Sequence, residues 1–198
     1  MNDSADEQLA VYDAAYQKIG NKRRYEVHRD GDRHYVMHCW VYIESKDAVV
    51  IQKRSEQKKF GGGKYDVSCA GHYSAHEDFT ATRELIEELG IEAQYDQLQH
   101  LFDFEEVFRY DGMCDREIAR VHLLVWPESA LTPTVADEVE SIFLVGRLDF
   151  MALMTDSASQ IESIDGNPKV KMRRSNFVER DRQYYQQICA VFSKIKSK

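Results

Sequence analysis

Nine consecutive residues, Arg83-Glu84-Leu85-Ile86-Glu87-Glu88-Leu89-Gly90-Ile91, constrain this chain more than any other stretch. Three carboxylates stand at relative positions i, i+3 and i+4, which on a helix share one face with neighbouring Cβ atoms about 5–6 Å apart. Phe79, Thr82, Leu85, Ile86 and Leu89 recur at helical steps, so the spacing predicts a helix over 77–89 with Gly90 capping its C-terminus. Like charges held so close repel one another. The face therefore needs bulk solvent or a cation between its carboxylates, and hard divalent ions are held by such oxygens together with water and phosphate. From these residues alone, a solvated acidic face and a metal site both stand.

Composition bounds the function. Of 198 residues, 43% are hydrophobic and 11% aromatic, enough apolar material for one substantial core. A formal charge of -8 disfavours non-specific attraction to nucleic-acid backbones or anionic membranes. It leaves room for a phosphate ligand, because a cation-filled acidic site coexists with local Lys and Arg. Cys39, Cys69, Cys114 and Cys189 form no CxxC pair and no zinc-like spacing. They read as free thiols of a reducing compartment, an even count leaving disulfides formally open. No signal peptide is recognisable, and no apolar run approaches the ~18 residues of a membrane span. The expectation is a cytoplasmic chain with neither a membrane nor a nucleic-acid partner.

Along the chain, 9–19 and 26–27 read as a strand and a short connection, closed by the turn Arg29-Asp30-Gly31-Asp32. Residues 35–43 and 48–51 read as apolar strands joined in a hairpin at Ser45-Lys46-Asp47. A Gly61-Gly62-Gly63 loop precedes a buried strand at 65–70. Strands at 100–108 and 118–126 join through Tyr110-Asp111-Gly112, and another follows at 138–145. Residues 148–154 and 176–195 read as helices, the last one amphipathic. No repeat or linker divides the chain. Strands interleaved with an internal and a terminal helix predict an α/β or α+β sandwich. It is read as one domain over 1–198, its core at roughly 9–155 and a C-terminal helical extension at roughly 156–198.

On these residues the chain resembles the Nudix family. The signature of that family opens with Gly, places a Glu six residues on, and closes with Arg-Glu-apolar-any-Glu-Glu-any-Gly-apolar. Arg83 through Ile91 meets the closing half in full, Gly71 fits the opening, and Glu77 lies six positions later. Five residues separate Glu77 from Arg83, two fewer than in the family pattern. The departure bears on the salt bridge by which that Glu steadies the Arg in the family. From about residue 12 to 150 the chain is also similar to the isopentenyl-diphosphate isomerase branch and the hydrolases related to it. His34 and Trp40 match a His…Trp pair there, and Arg54 and Lys58 match an Arg and a Lys that grip the diphosphate. Gly71-His72 matches a Gly-His whose His helps hold a metal ion. Asp115 and Glu117 fall where the isomerases carry two Glu, one binding metal and one handling protons. His28 is a further counterpart, its spacing to His34 one residue off.

The resemblance implies a Nudix-type α/β/α sandwich with a mixed β-sheet, and a hydrolase working with Mg²⁺ or Mn²⁺. Glu84 and Glu88 would be the principal metal ligands, Glu87 a third or the proton acceptor, and the Gly71 carbonyl would complete the site. Arg83 would orient the carboxylates, while Asp115 and Glu117 join the metal-binding candidates. Arg54, Lys58, His34 and His72 would meet the substrate, a small-molecule diphosphate. Many relatives pair as homodimers, so a dimer is open. Two differences argue against isomerase chemistry. The residue before Gly71, a catalytic Cys in the isomerases, is Ala70, with Cys69 one residue earlier and turned to the opposite face of a strand. Isomerases also lack the first two Glu of the closing half. The reading is therefore cleavage of a diphosphate linkage in a nucleoside diphosphate derivative or related small molecule by metal-activated water. An isopentenyl-diphosphate isomerase and a non-catalytic nucleotide-binding module are the alternatives. Glu138 and Glu140 are late-loop candidates for a general base. Phe102, Phe104, Phe108 and Tyr110 read as core or as a stacking surface, the basic cluster at 169–174 as a solvated segment, and His38 as a hydrogen-bonded core residue.

Overall fold

Strand β3 (Arg33–Ile43) organises the sheet. Successive side chains of a strand point to opposite faces, and here the two faces feed two cores. Val36, Trp40 and Tyr42 enter one; Met37, Cys39, Val41 and Ile43 enter the other. A strand apolar on both faces must be covered on both, which calls for helices on either side. The computed structural model describes residues 7–80, 82–127, 138–166 and 168–196, and it has that layering.

β3 runs parallel to β8 (Met113–Val125) and pairs antiparallel with β6 (Cys69–His72), with β4 (Ala48–Arg54) near its end and with β1 (Gln8–Tyr12) at its start. The mixed sheet extends from β1 to β2 (Lys18–Arg23), from β8 to β7 (Gln99–Tyr110), and from β4 to β5 (Tyr65–Asp66) and β9 (Val139–Gly146). A two-stranded ribbon pairs β10 (Ile161–Glu162) with β11 (Lys171–Met172). Helix α2 (Arg83–Leu89) covers the Cys39 face through Leu85 and Leu89. Helices α3 (Arg147–Met154) and α4 (Arg182–Phe192) cover the Trp40 face through Phe150, Tyr184, Ile188 and Phe192. Helix α1 (Arg24–Asp30) packs against β8. Arg147 ties these layers, its guanidinium on Asp47 of the β3–β4 hairpin and on the Phe192 carbonyl of α4.

The turn signals behave as their chemistry requires. Asp111 and Gly112 take positive φ of 47° and 77°, the pair of left-handed residues that a two-residue hairpin needs. Gly90, at φ 64°, ends α2, its N–H on the Ile86 carbonyl while Ile91 N–H returns to Leu85. Four expectations are corrected. The helix predicted over 77–89 begins only at Arg83. The Asp78 carboxylate takes the Thr80 N–H at 2.9 Å, a local turn that competes with helix, and Phe79 packs on Tyr35 and Tyr73 instead of extending the helical stripe. Residue 81 lies outside the described residues. Residues 26–27, read as a short connection, belong to α1, where Glu26 accepts the Arg23 N–H and Val27 is buried. Residues 9–19 likewise split at a turn in which Asp13 accepts the N–H groups of Ala15 and Gln17. The C-terminal helix is shorter than 176–195, its N-cap being Asp181.

Candidate active site

Register brings the first set of site residues together. His34 on β3 stands opposite Glu117 on β8, and Val36 opposite His72 on β6. Helix α1 adds His28. The three imidazoles lie with ring centroids 5.1–5.3 Å apart. Asp115 Oδ1 is 3.4 Å from His34 Nε2 and 3.6 Å from His28 Nε2. Two groups therefore have ligand atoms within 4.8 Å of one another, His28–His34–His72 and His34–Asp115–Glu117, sharing His34.

The residues of this cluster could hold a cation. Nε2 of all three histidines and Oδ1 of Asp115 are buried without a hydrogen-bond partner. Four stranded polar atoms converging on one place would cost several kcal/mol at roughly 1–3 each, unless an ion or water joins them. His34 Nδ1 lies 3.2 Å from the Asp32 carbonyl, which keeps its proton on Nδ1 and its Nε2 lone pair free to ligate. Burial, then the neighbouring His34, pushes His28 down to about 3; burial takes His34 to about 4 and His72 far below its ordinary value, so all three rings are neutral ligands at pH 7. Burial also raises Asp115 to about 6 and Glu117, with Asp115 beside it, to about 8.

Arg83 is the hub of the second set. Its guanidinium reaches Glu77 at 3.0 Å, Glu84 at 2.8 Å and Glu87 at 2.8 Å, and donates to the His72 carbonyl at 3.3 Å. The Glu77 bridge thus forms despite the shortened spacing. Glu88 is 3% exposed and accepts the Ala70 N–H at 2.9 Å. Gly71 allows β6 to approach α2, for a Cβ there would lie 2.0 Å from Glu84 Cδ. Burial raises Glu84 to about 8 and Glu88 to about 7. Glu84, Glu87 and Glu88 do not converge on one point as the histidines do: Glu87 is turned to the surface on Arg83 and Glu88 inward on β6. Cys69 faces the α2 side and hydrogen-bonds Glu88, away from the histidines.

Both sets border one cavity of about 980 Å³. Arg54 and Lys58 line it, clasped by Asp66 (3.0 Å) and Glu138 respectively. Glu140 instead pairs with Lys53. The aromatic run divides: Phe102 and Phe104 pack on Tyr184 in the core, while Phe108 and Tyr110 form a cavity wall with Phe60 at 4.6 and 5.1 Å. Among the lining residues that the sequence did not single out are Arg24, Arg180 and Phe60: Arg24 ends the short basic run Lys22-Arg23-Arg24, Arg180 has no motif around it, and Phe60 adjoins a loop. The basic cluster at 169–174 contributes nothing to the cavity lining.

Comparison with known proteins bears on the family and the fold. Residues 32–163, two thirds of the chain, match the NUDIX domain family model. Nudix hydrolase 3 of Arabidopsis thaliana is 39% identical over 112 residues, covering 54% of this chain and 14% of that protein. A Nudix hydrolase of Clostridium acetobutylicum is 36% identical over 121 residues, covering 60% of this chain and 59% of that protein. Isopentenyl-diphosphate isomerases of two bacteria match more weakly. The chain thus spans less than two thirds of its first two relatives. Among solved structures, a Deinococcus radiodurans protein superposes with a TM-score of 0.57 at 16% identity, over 82% of this chain and 94% of that one, a likeness of fold. The chain belongs to the Nudix family, and its mixed sheet between helices is the fold expected of it.

Proposed function

We propose that the chain is a Nudix hydrolase that cleaves a diphosphate linkage in a nucleoside diphosphate derivative or a related small molecule, using Mg²⁺ or Mn²⁺. One observation carries the reading. A single cavity sets Arg54 and Lys58, cations suited to phosphate, beside the histidine–carboxylate cluster and beside Glu84 and Glu87 of α2. Glu84 and Glu88, with the Gly71 carbonyl, would hold an oxygen-loving ion such as Mg²⁺; the imidazole-rich group with Asp115 and Glu117 suits a transition ion such as Mn²⁺. Bound there, divalent ions supply charge neutralisation and a lowered pKa for attacking water. Arg83, braced by Glu77, holds Glu84 and Glu87 in place and keeps their mutual repulsion compensated. Glu87, more than half exposed, would be the carboxylate that takes a proton, giving up its contact with Arg83 to do so.

The isomerase alternative lacks a thiol in the cavity among the described residues, because Ala70 lines it and Cys69 faces away. Further elements of the proposal are one domain over 1–198, a small-molecule substrate with no nucleic-acid or membrane partner, a homodimer and a cytoplasmic location. No helix among the described residues is long and apolar enough to cross a membrane. The test is a panel of nucleotide sugars, dinucleotides, nucleoside diphosphates and isoprenoid diphosphates with each ion. Release of phosphate or nucleoside monophosphate, abolished by chelation, is the expected result. Double-bond isomerisation of isopentenyl diphosphate with no phosphate chemistry would overturn the reading.

A further inference from the structure

The inner floor of the cavity is polar. His38, Asp66 and Arg180 line it although they are only 1%, 1% and 8% exposed. Asp66 and Arg180 satisfy one another at 3.0 Å, and Arg180 also holds Glu106 at 2.7 Å. His38 stands outside that exchange. Its Nδ1 lies 2.9 Å from the Tyr184 hydroxyl, which is also 3.1 Å from the Trp40 indole nitrogen.

Donor counting fixes the ring. An indole N–H only donates, so the Tyr184 oxygen accepts from Trp40. The Tyr184 proton then has one acceptor among the described residues, His38 Nδ1, and any other arrangement strands a buried hydroxyl at about 1–3 kcal/mol. The imidazole proton therefore sits on Nε2, for which no protein partner is found among the described residues. Burial, then the Arg180 guanidinium, pushes the ring far below its ordinary pKa, so it stays neutral. Tyr184 and Trp40 are both locked among aromatic rings of the core, which prevents the donor from turning away.

A buried N–H aimed into a cavity beside an ion pair is a poor seat for hydrocarbon. Filling the floor with an alkyl group would remove water from these groups and return no hydrogen bond. An oxygen-bearing group suits it, and sites built to bond a hydroxyl reject analogues lacking one by up to about 10⁴–10⁵. We propose that His38, oriented by Tyr184, is a specificity-determining residue whose Nε2–H donates to a hydroxyl or carbonyl oxygen on the non-phosphate part of the substrate, selecting polar diphosphates over prenyl diphosphates. The proposal deepens the diphosphate reading and rests on it. Tyr184 and Arg180 lie beyond residues 32–163, so the preference is set by the C-terminal segment and not by the family core alone.

The test is calorimetric binding, with Mn²⁺, of methylene-bridged analogues of adenosine diphosphate ribose and of isopentenyl diphosphate. The wild-type protein should bind the nucleotide analogue at least about 100-fold more tightly. His38→Leu should weaken that analogue by about tenfold or more and leave the prenyl analogue within about twofold, while His38→Gln, which retains an N–H donor, recovers part of the loss. Long-range ¹H–¹⁵N spectra of the wild-type protein should show the His38 proton on Nε2, and Tyr184→Phe should mix the tautomers. Equal affinities, an equal loss for both analogues in His38→Leu, binding of neither, or a proton on Nδ1 in the wild type each overturn the proposal. Turnover of the parent compounds, measured in parallel, separates the two readings. Analogue discrimination without turnover removes hydrolysis and spares His38; turnover without discrimination does the reverse.

Discussion

Substituting Gly71 by Ala tests whether the site depends on close approach of β6 to α2. The added Cβ would lie 2.0 Å from Glu84 Cδ and 2.4 Å from its Cγ and Oε1, where ordinary contact begins at 3.4 Å. The carboxyl must then retreat by roughly 1.4 Å or the strand must move. The strand is pinned, Gly71 facing Met37 of β3 in register and the Ala70 N–H held by Glu88. Glu84 is an unbranched side chain on a seven-residue helix, so it gives way. Gly71 is not among the positive-φ glycines, so the backbone itself tolerates Ala. Stability should fall by only about 1–2 kcal/mol, a modest overpacking cost. Turnover should fall about 100-fold, the scale of a 1 Å misplacement in a reacting constellation. Gly20→Ala, whose Cβ comes no closer than 3.9 Å to Val11, serves as the control and should change neither. Phosphate release at saturating Mn²⁺, with calorimetric unfolding of the same samples, separates the two effects. Activity of Gly71→Ala within threefold of wild type, or a loss that merely follows unfolding, would refute the reasoning.

Glu88→Gln keeps an oxygen for the Ala70 N–H while removing a buried charge, so thermal stability at pH 8 should hold or rise as chelator-sensitive turnover drops by about 10²-fold or more; unchanged turnover would place the activity elsewhere. The raised pKa values of Glu84 and Glu88, about 8 and about 7 against 4.5, mean that the folded state binds more protons than the unfolded chain between those values. The contribution of these two carboxyls to metal-free stability is therefore fully present below about pH 4.5 and is lost towards pH 8, by on the order of 3 kcal/mol for Glu88, whereas the buried neutral histidines withdraw stability only as pH falls below about 6.5. Thermal melts with EDTA should show that fall, and the stabilisation by Mn²⁺ should be larger at pH 8 than at pH 5.5; a flat EDTA profile contradicts the assignment. Arg147→Ala removes the guanidinium that joins Asp47 to the Phe192 carbonyl across three elements, Asp47 keeping the Tyr42 hydroxyl, at a cost of about 2 kcal/mol, which calorimetry should read as roughly 4–8 °C in Tm with metal affinity unchanged.

What the sequence made legible follows from the range of each signal. The i, i+3, i+4 carboxylates, the Gly90 cap and the Asp111-Gly112 hairpin are local patterns, and each folds as its local chemistry dictates. The β3 segment was legible as a strand over residues 35–43 because it is largely apolar on both faces there. The start of α2 was not, because Asp78 diverts the chain into a turn whose hydrogen bonds imitate a helical start. His28 shows the limit most clearly. Two residues of apolar pattern around Val27 cannot distinguish strand from helix, and only the helix carries His28 over His34 and His72. Arg180 and Tyr184 were invisible as site residues for a different reason. Arg180 reaches the cavity and Tyr184 reaches His38 through docking of the C-terminal segment on the Trp40 face, a tertiary event that no spacing encodes.

The resting contacts of the cationic groups also say which of them a phosphate can recruit. Arg180 is sunk between Asp66 and Glu106, and removing it would leave buried Glu106 with the Asp181 N–H as its remaining partner and no cation among the described residues, so it is a fixed support. Arg54 differs, although it binds the same Asp66. When Arg54 leaves, Asp66 still accepts from Arg180 and from the Val67 N–H at 2.9 Å, so its charge remains compensated. Burial alone would push Asp66 up; Arg180, then Arg54, outweigh it and hold the carboxyl below its ordinary value, with Arg180 the larger influence. Lys58 is freer still, because its partner Glu138 is 44% exposed and water can replace the ammonium. A diphosphate entering the cavity can therefore take Arg54 and Lys58 from their carboxylates without stripping any buried group of its last partner. In the proposed reading, the same two cations that hold the empty cavity together become the ligand's contacts, and the asymmetry between Arg54 and Arg180 is what allows the exchange.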